Sequence, residues 1–235
     1  HIAVAEVWYD GDVLWHMEYS ACMAEGKKRE DHKMSEFVKV LLGDQGTFED
    51  VYQDCPVFDD GKYCLRLVAE SDAEDLLKVY SEEKAVLFFN SDNCGGDDFH
   101  YTSLEKMREA VSYWLWEYER RGFVRWSIFS HKEEEVIGTV ELLHRDSEDY
   151  FTDCGLLRLD LRSDYEKADV IKEILQQIGT PAFDMFSCRM LATKAVPTAK
   201  ERIHALAVLG FEESDQALTG HDGTQYKYYW VLNKK

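Results

Sequence analysis

Apolar side chains recur every three or four residues between positions 102 and 121, which is the period of an amphipathic helix. Gly122 follows this segment, and glycine commonly ends a helix. Three segments rich in strand-forming residues come next, at positions 123–129, 136–143 and 152–162, and a charged turn at 131–135 joins the first two. We therefore expect a long helix followed by an antiparallel meander of three strands.

From position 58 onward the rest of the chain also alternates between strand-like and helix-like segments. Ser71 and Glu74 have the spacing of a capping box, which predicts a helix that runs to about Tyr80. A polar, glycine-bearing segment at positions 90–98 predicts a loop. The other predicted elements are a strand at 62–69, a helix at 167–186, a strand at 189–196, a helix at 198–209, a strand from 211, a turn at 220–223 and a last strand at 225–232. This order predicts a mixed α/β domain at positions 58–235.

The N-terminal segment, positions 1–57, has a different pattern. An Asp-Gly pair at positions 10 and 11 lies between two alternating runs and predicts a hairpin. A charged linker and one short amphipathic helix at 34–42 follow it. The segment carries several large aromatic residues, so we expect this extension to pack on the following domain or on a second subunit. These residues are Trp8, Tyr9, Trp15, Tyr19 and Phe37.

Composition narrows the class of protein. The 235 residues are 45% hydrophobic and 13% aromatic, enough for one large core, and the net charge is −19. A surface this acidic repels nucleic acid and anionic lipid, so neither is an expected partner. There is no apolar run long enough to span a membrane and no signal-peptide pattern, which predicts a cytoplasmic protein. The six cysteines are scattered without a C-x-x-C pair, so we expect free thiols and no metal site.

Three short motifs, together with the order of the elements, resemble a known superfamily. The motifs are Leu65-Arg66-Leu67, Ile137-Gly138-Thr139-Val140 and Leu209-Gly210-Phe211. Over positions 60–235 the chain resembles the GNAT superfamily of acetyl-CoA-dependent N-acetyltransferases, in particular the branch that contains the ribosomal-protein N-terminal acetyltransferases. The resemblance implies a GNAT-like acyl-CoA N-acyltransferase fold. Its mostly antiparallel central sheet would be flanked by helices and would splay between the strands at 152–162 and 189–196.

The resemblance also implies a coenzyme site with a degenerate phosphate-binding loop. In the family, a glycine-rich turn after the fourth strand wraps the pyrophosphate of coenzyme A, and here Lys167 and Asp169 stand where the family has glycines. Side chains there obstruct the approach of a phosphate, and Asp169 adds a negative charge, so weak binding of acetyl-CoA as co-substrate is expected. Lys167, Arg162 or Arg202 would answer the charge of the pyrophosphate. The implied coenzyme-binding residues are Leu161, Arg162, Glu166, Lys167, Ala168, Asp169, Val170, Ile171 and Arg202.

The last predicted helix departs from the family as well. The positions that match the family's Asn-x-x-Ser/Ala contact to the pantetheine arm carry Ala199 and Arg202, so the asparagine is missing. Leu206 stands where many relatives have a tyrosine that protonates the leaving thiolate. His204 lies off the helix face that carries these residues, which favours a surface or packing role.

Amide formation from a thioester needs a group that removes the amine proton, and a carboxylate is one candidate. Glu141 and Asp160 lie on predicted central strands, and Asp153 lies nearer the start of the second of them. Strand alternation leaves open whether each side chain points inward or to solvent. We rank Glu141 first because its strand is otherwise apolar, and burial would raise its pKa.

Two functions fit these observations. The first is an N-acetyltransferase that transfers an acetyl group from acetyl-CoA to a primary amine of a cationic acceptor: a protein N-terminus, a polyamine or an aminoglycoside. The alternative is a non-catalytic GNAT-fold binding module that has lost acetyl-CoA binding, which the missing glycines and asparagine favour. We prefer the first because a co-substrate held by backbone groups tolerates changes of side chain. Whether the protein forms a homodimer stays open.

Overall fold

The computed structural model describes residues 50–234. The predicted N-terminal hairpin, the short helix at 34–42 and the aromatic residues that were expected to pack against the domain lie outside the described residues. The segment that begins at Asp50 packs on the core of the domain, because Val51 is buried in this core and the Trp126 indole donates a hydrogen bond to the Pro56 carbonyl at 2.9 Å. The division of the chain at position 57 stays a prediction.

Strands and helices occupy most of the described chain. The strands are β1 (Phe58–Asp59), β2 (Tyr63–Leu67), β3 (Val124–Ser130), β4 (Glu135–Arg145), β5 (Cys154–Leu161), β6 (Met190–Lys194), β7 (Glu212–Glu213), β8 (Leu218–Thr219), β9 (Gln225–Tyr226) and β10 (Tyr229–Asn233). The helices are α1 (Ala73–Tyr80), α2 (Glu83–Val86), α3 (Leu104–Glu119), α4 (Ala168–Met185) and α5 (Lys200–Val208). Short 3₁₀ turns at Glu70–Asp72 and Ser163–Tyr165 precede α1 and α4.

The main sheet has the strand order β1-β2-β3-β4-β5-β6-β10-β7, and its pairs are antiparallel except for β5 with β6. This confirms the predicted mixed fold and the meander of β3, β4 and β5. The parallel pair runs only from Cys154 opposite Met190 to Leu157 opposite Thr193. The rest of β5 is not in register with β6, so the sheet splays where it was expected to.

Strand alternation separates the two faces of the sheet. One face is apolar and packs against α4 and α5, with Trp126, Leu142 and Leu159 among its contributors. The other face lies under α1, α2 and α3, whose own apolar residues form a second cluster around Tyr80 and Trp114. The central strands turn polar side chains to this second face, all of them buried: Arg125, Ser127, Thr139, Glu141, Arg158 and Asp160.

Two local expectations differ from the structure. The predicted last strand at 225–232 is two strands, because Tyr228 has a φ of 71° and breaks the extended backbone between β9 and β10. The residue before the helix that ends at Tyr80 is Asp72, not Ser71, and its side chain makes no capping hydrogen bond to this helix; its carboxylate accepts from the Ala69 N–H at 2.9 Å and so closes the preceding 3₁₀ turn. Asp72 also accepts two hydrogen bonds from Arg66, so burial of its carboxylate is compensated.

Gly138 marks a close approach of β4 and β5. A β-carbon at this position would lie 2.2 Å from the Asp160 carbonyl oxygen. Because this oxygen belongs to the backbone of a paired strand, relieving the clash would require the strand itself to shift. We expect Gly138→Ala to lower the free energy of unfolding by about 1–3 kcal/mol or more. Gly179 lies inside α4 with no atom within 4 Å of such a carbon, so Gly179→Ala is the matched control, with an expected gain of about 0.5–1 kcal/mol. Urea unfolding of both variants tests this, and a Gly138→Ala protein as stable as the parent would contradict the packing.

Candidate functional site

The gap between β5 and β6 opens one edge of β5. Leu157 is the last residue of β5 in register with β6, and two residues further on the Leu159 carbonyl points into the gap. In a paired strand this carbonyl would accept from a neighbouring backbone N–H. Here it accepts from Nη1 of Arg202 at 2.9 Å, so a side chain of α5 reaches the open edge.

Arg202 is enclosed in this gap. Its side chain is 2% exposed, Nη1 also donates to the Phe88 carbonyl at 2.9 Å, and Nε and Nη2 donate to the two carboxylate oxygens of Glu166 at 2.8 and 2.7 Å. The sequence predicted that Arg202 answers the charge of a bound pyrophosphate. In the structure its charge is answered by Glu166, another residue of the predicted coenzyme site.

The first turn of α4 has the free backbone N–H groups that suit an anion. One of them, the Ala168 N–H, donates to the Glu201 carboxylate at 2.9 Å. Just before this turn, the Ser163 N–H donates to the Glu82 carboxylate at 2.9 Å, and the Ser163 hydroxyl donates to the same group. Carboxylates of the chain itself therefore occupy donors that a phosphate would use.

The other residues of the predicted coenzyme site lie at three depths. Leu161, Val170 and Ile171 are buried in the core beneath the loop and offer only backbone atoms. Arg162 is ion-paired with Glu135 and Asp164. The side chains of Lys167 and Asp169 are exposed at the start of α4, and so Lys167 remains a cation near the predicted pyrophosphate position.

Acetyl-CoA fits this region only in part. The open edge of β5 suits an extended pantetheine arm, because an unpaired strand edge offers backbone donors and acceptors. The phosphate cradle and the Leu159 carbonyl, however, are held by Glu201 and Arg202. Residues 163–171 and 202 would hold the coenzyme only once those two contacts are exchanged, and weak binding stays a prediction.

The register of the three central strands brings a row of charges together under α3. Arg125 lies opposite Glu141, and Glu141 lies opposite Arg158. Arg125 donates from Nε at 3.0 Å and from Nη2 to one oxygen of Glu141, and Nη1 of Arg158 donates to the other. The Arg125 guanidinium also lies 4.1 Å from the ring centroid of Trp114. This buried row is the best-connected polar group on the α1–α3 face.

Glu141 is buried, but its pKa is lowered, whereas the sequence analysis expected burial to raise it. Burial alone would raise the pKa, and the charges of Arg125 and Arg158 outweigh it, so the pKa lies below the usual value of a glutamate. Both carboxylate oxygens already accept from guanidinium groups. A carboxylate held in this way is a poor proton acceptor, although its catalytic role stays a prediction.

Asp160 has the properties that were expected of Glu141. It is 0% exposed, on the splayed half of β5, and burial raises its pKa above the usual range despite the charge of Arg125 and a hydrogen bond from Tyr80. Oδ2 accepts from the Tyr80 hydroxyl at 2.7 Å and from Nη1 of Arg125 at 3.2 Å. Within residues 50–234, Oδ1 has no hydrogen-bond partner. Asp160 is thus the stronger candidate for a proton acceptor.

The raised pKa makes a prediction about stability. A carboxyl group whose pKa is higher in the folded than in the unfolded chain contributes stability that is fully present below about pH 3.8 and is lost as the pH rises through the folded pKa. Asparagine does not titrate. We therefore expect the free energy of unfolding of Asp160→Asn, relative to the parent, to increase between about pH 4 and about pH 7. Urea unfolding at a series of pH values measures this, with Asp153→Asn at an exposed carboxyl as control; a relative stability that falls over this interval would contradict it.

A cavity of about 820 Å³ opens on the same face of the sheet, next to the charged row. We call it the aromatic cavity, because one wall consists of Phe99, Tyr101, Tyr113, Trp114 and Phe123. Arg125, Glu141 and Arg158 line its floor together with Leu143 and Leu156, which project from the same face of the sheet, and Leu218 and Tyr229 also line the cavity. The loop that follows α2 closes one end, tied down by Asp92, whose carboxylate pairs with Lys194 at 2.6 Å and accepts from the Tyr229 hydroxyl at 3.1 Å.

The sequence did not single out Arg125, Arg158, Tyr80 and Glu201. Arg125 had a detectable signal, since a charged residue between two apolar ones in a predicted central strand must be exposed or paired. Glu201 had none, because its contact with Ala168 depends on how α5 packs beside α4. The described cysteines, Cys55, Cys64, Cys94, Cys154 and Cys188, are free thiols as expected.

Neither a metal centre nor a membrane-spanning helix is found in the part of the chain that the structure describes. In residues 50–234 no three His, Cys, Asp or Glu side chains are grouped so that they could hold a metal ion. None of the helices there combines the length and the apolar character that crossing a bilayer requires.

Solved structures with the same fold support the assignment of the fold. A ribosomal-protein-S5-alanine acetyltransferase of Vibrio fischeri is 16% identical, with a TM-score of 0.56 over 76% of this chain and 96% of that one. The ribosomal L7/L12 α-N-protein acetyltransferase RimL in complex with coenzyme A is 13% identical, with a TM-score of 0.57 over 76% and 98%. Mycobacterium smegmatis RimJ in complex with a CoA disulfide is 14% identical, with a TM-score of 0.55 over 73% and 81%.

The sequence itself matches a family model. Among curated proteins none matches it. The model of the acetyltransferase (GNAT) domain matches residues 62–212, which is more than half of the chain and includes the splayed strands, the degenerate loop and Asp160. The chain therefore belongs to the GNAT acetyltransferase domain family.

Proposed function

We propose that the protein is an acetyl-CoA-dependent N-acetyltransferase of the cytoplasm that acts on a primary amine. The observation that carries this proposal is the gap beside β5, where Arg158–Leu161 is out of register with β6 and presents the buried carboxyl of Asp160 on the same strand segment. Membership of the GNAT family and the coenzyme A complexes of RimL and RimJ support it.

Different residues of the chain bind the coenzyme and accept the proton in the proposed reaction. Backbone groups of β5 and of the start of α4 bind and orient the coenzyme, whose thioester supplies the carbonyl that the amine attacks. Asp160 is buried, so it accepts the amine proton through water, and its raised pKa makes it a better acceptor than an ordinary aspartate. Tyr80 and Arg125 hold Oδ2 of Asp160 in place and leave Oδ1 for the proton.

A second function is favoured by one specific observation. Glu201 caps the Ala168 N–H and Arg202 holds the Leu159 carbonyl, so the chain satisfies part of its own coenzyme site. In a non-catalytic GNAT-fold module that no longer binds acetyl-CoA, these two contacts would always be present. In an acetyltransferase, bound coenzyme would replace them.

An acetyl-transfer assay decides between them. The full chain is incubated with acetyl-CoA and a panel of amines (a peptide with a free N-terminus, spermidine, an aminoglycoside and an amino acid), and both the released thiol and the mass of the amine are measured. We expect thiol release that depends on one of the amines, with a matching acetylated product. Asp160→Asn is expected to lower the rate by about 10²–10⁴-fold. Thiol release no faster than in buffer with every amine would favour the non-catalytic module.

A further inference from the structure

The aromatic cavity contains a donor that the protein does not use. Arg158 is 8% exposed and lines the cavity, and its Nη1 and Nη2 donate to Glu141 and to the Asp92 carbonyl. Its Nε is shielded from solvent and has no acceptor among residues 50–234. A buried donor without an acceptor is destabilising, and an acceptor oxygen on a ligand would relieve that cost.

The charges on the floor of the cavity select the kind of ligand. Arg125 and Arg158 both lie there and share Glu141 as a partner, while Arg125 alone also reaches Asp160. Arg158 shares its carboxylate partner, Glu141, with Arg125, so the positive charge of Arg158 is answered only in part. This favours a carboxylate on the ligand at the position next to the unused Nε.

The walls of the cavity select the rest of the ligand. Five aromatic rings and several aliphatic side chains line a space of about 820 Å³, which is large enough for an aromatic ring and offers it apolar contacts that a hydrated sugar could not use. Exposed carboxylates also line the cavity, among them Asp97 and Glu109, and they attract an ammonium group during entry.

The position of Arg158 relates the cavity to the gap in the sheet. Arg158 directly follows Leu157, the last residue of β5 that is in register with β6. A ligand carboxylate at Arg158 therefore lies beside the splayed part of the strand, with Asp160 two residues further along. In an α-amino acid the amine is on the carbon next to the carboxylate, so the amine would also be held at the start of the gap.

We propose that the aromatic cavity binds an aromatic α-amino acid, with its carboxylate on Arg158 and its ring against the aromatic wall. This rests on the proposed function, in that the amino acid would be the acceptor, and it narrows the acceptor from amines in general to a zwitterionic aromatic amine. Binding itself does not require coenzyme.

Binding is measured by calorimetry on the full chain without acetyl-CoA, with L-phenylalanine, 2-phenylethylamine and spermidine as probes. The first two differ by the carboxylate alone. We expect L-phenylalanine to bind at least tenfold more tightly than 2-phenylethylamine, and spermidine to bind most weakly. Equal affinity for L-phenylalanine and 2-phenylethylamine, or no heat with L-phenylalanine, would overturn the proposal.

Two variants assign the effect to Arg158. Arg158→Lys keeps a positive charge beside Glu141 and removes Nε, so it is expected to abolish the preference for the carboxylate while retaining the cooperative unfolding of the parent. Lys84→Gln removes an exposed charge on α2, at a residue that does not line the cavity, and is expected to leave the preference unchanged. A preference that survives in a folded Arg158→Lys protein would overturn the assignment. Binding of acetyl-CoA but not of L-phenylalanine would refute this inference and leave the proposed function intact.

Discussion

Replacement of Arg202 by methionine is expected to lower the free energy of unfolding by about 3–5 kcal/mol, since it leaves a buried charge without its partner. Glu166, whose side chain is 7% exposed, would lose both hydrogen bonds from the guanidinium. The Leu159 and Phe88 carbonyls would lose their donor as well. Urea unfolding measures the loss, and Arg189→Met, at an arginine whose side chain is 61% exposed, is the control, with an expected change within about 0.5 kcal/mol.

A double variant separates the unpaired charge from the lost packing. In Arg202→Met/Glu166→Met both members of the ion pair become apolar, and replacing a buried pair in this way is often close to neutral. We expect the double variant to be more stable than Arg202→Met alone. If the two single changes simply add, the buried pair is not the reason that Arg202 stabilises the gap.

Replacement of Arg125 by methionine is expected to have a loss of similar size, about 3–5 kcal/mol. Arg125 is 1% exposed and donates to Glu141, Tyr80, Thr139 and Asp160. Without it, Glu141 keeps only Arg158 and Asp160 keeps only Tyr80 as a donor. Circular dichroism during urea unfolding measures the change, again beside Arg189→Met.

Arg125→Lys serves as the second test of the same cluster. Lysine retains one positive charge but lacks the several donors with which the guanidinium reaches both Glu141 and Asp160. It is therefore expected to recover only part of the lost stability. An Arg125→Met protein within about 1 kcal/mol of the parent would show that the charged row under α3 does not stabilise the fold.

The sequence predicted the secondary-structure elements better than it predicted the ion-pair partners of the buried charged residues. The period of residues 102–121 located α3, which spans Leu104–Glu119, because an amphipathic stripe depends on local spacing alone. The partners of Glu141 are on two other strands, so they follow from the register of the sheet. For this reason the predicted direction of the Glu141 pKa shift was wrong, and the raised pKa belongs to the other candidate, Asp160.

The sequence showed that the phosphate-binding loop is degenerate, but it did not show which groups of the chain occupy the predicted coenzyme site. Lys167 and Asp169 show that the family glycines are missing. The structure adds that Glu201 and Arg202, both of α5, occupy the backbone groups of α4 and β5 that a coenzyme needs. No local pattern in α5 predicts contacts with elements more than 30 residues earlier in the chain.

The decisive measurement is calorimetric titration of acetyl-CoA into the parent protein and into Glu201→Ala. Removal of the exposed Glu201 side chain frees the Ala168 N–H and takes one negative charge from the path of the pyrophosphate. We predict measurable, weak binding to the parent and binding about tenfold tighter to Glu201→Ala, which corresponds to about 1.4 kcal/mol. Glu213→Ala, which removes an equally exposed charge on β7, is the matched control and should bind as the parent does. No heat of binding in either the parent or Glu201→Ala would contradict the acetyltransferase function and leave the non-catalytic module.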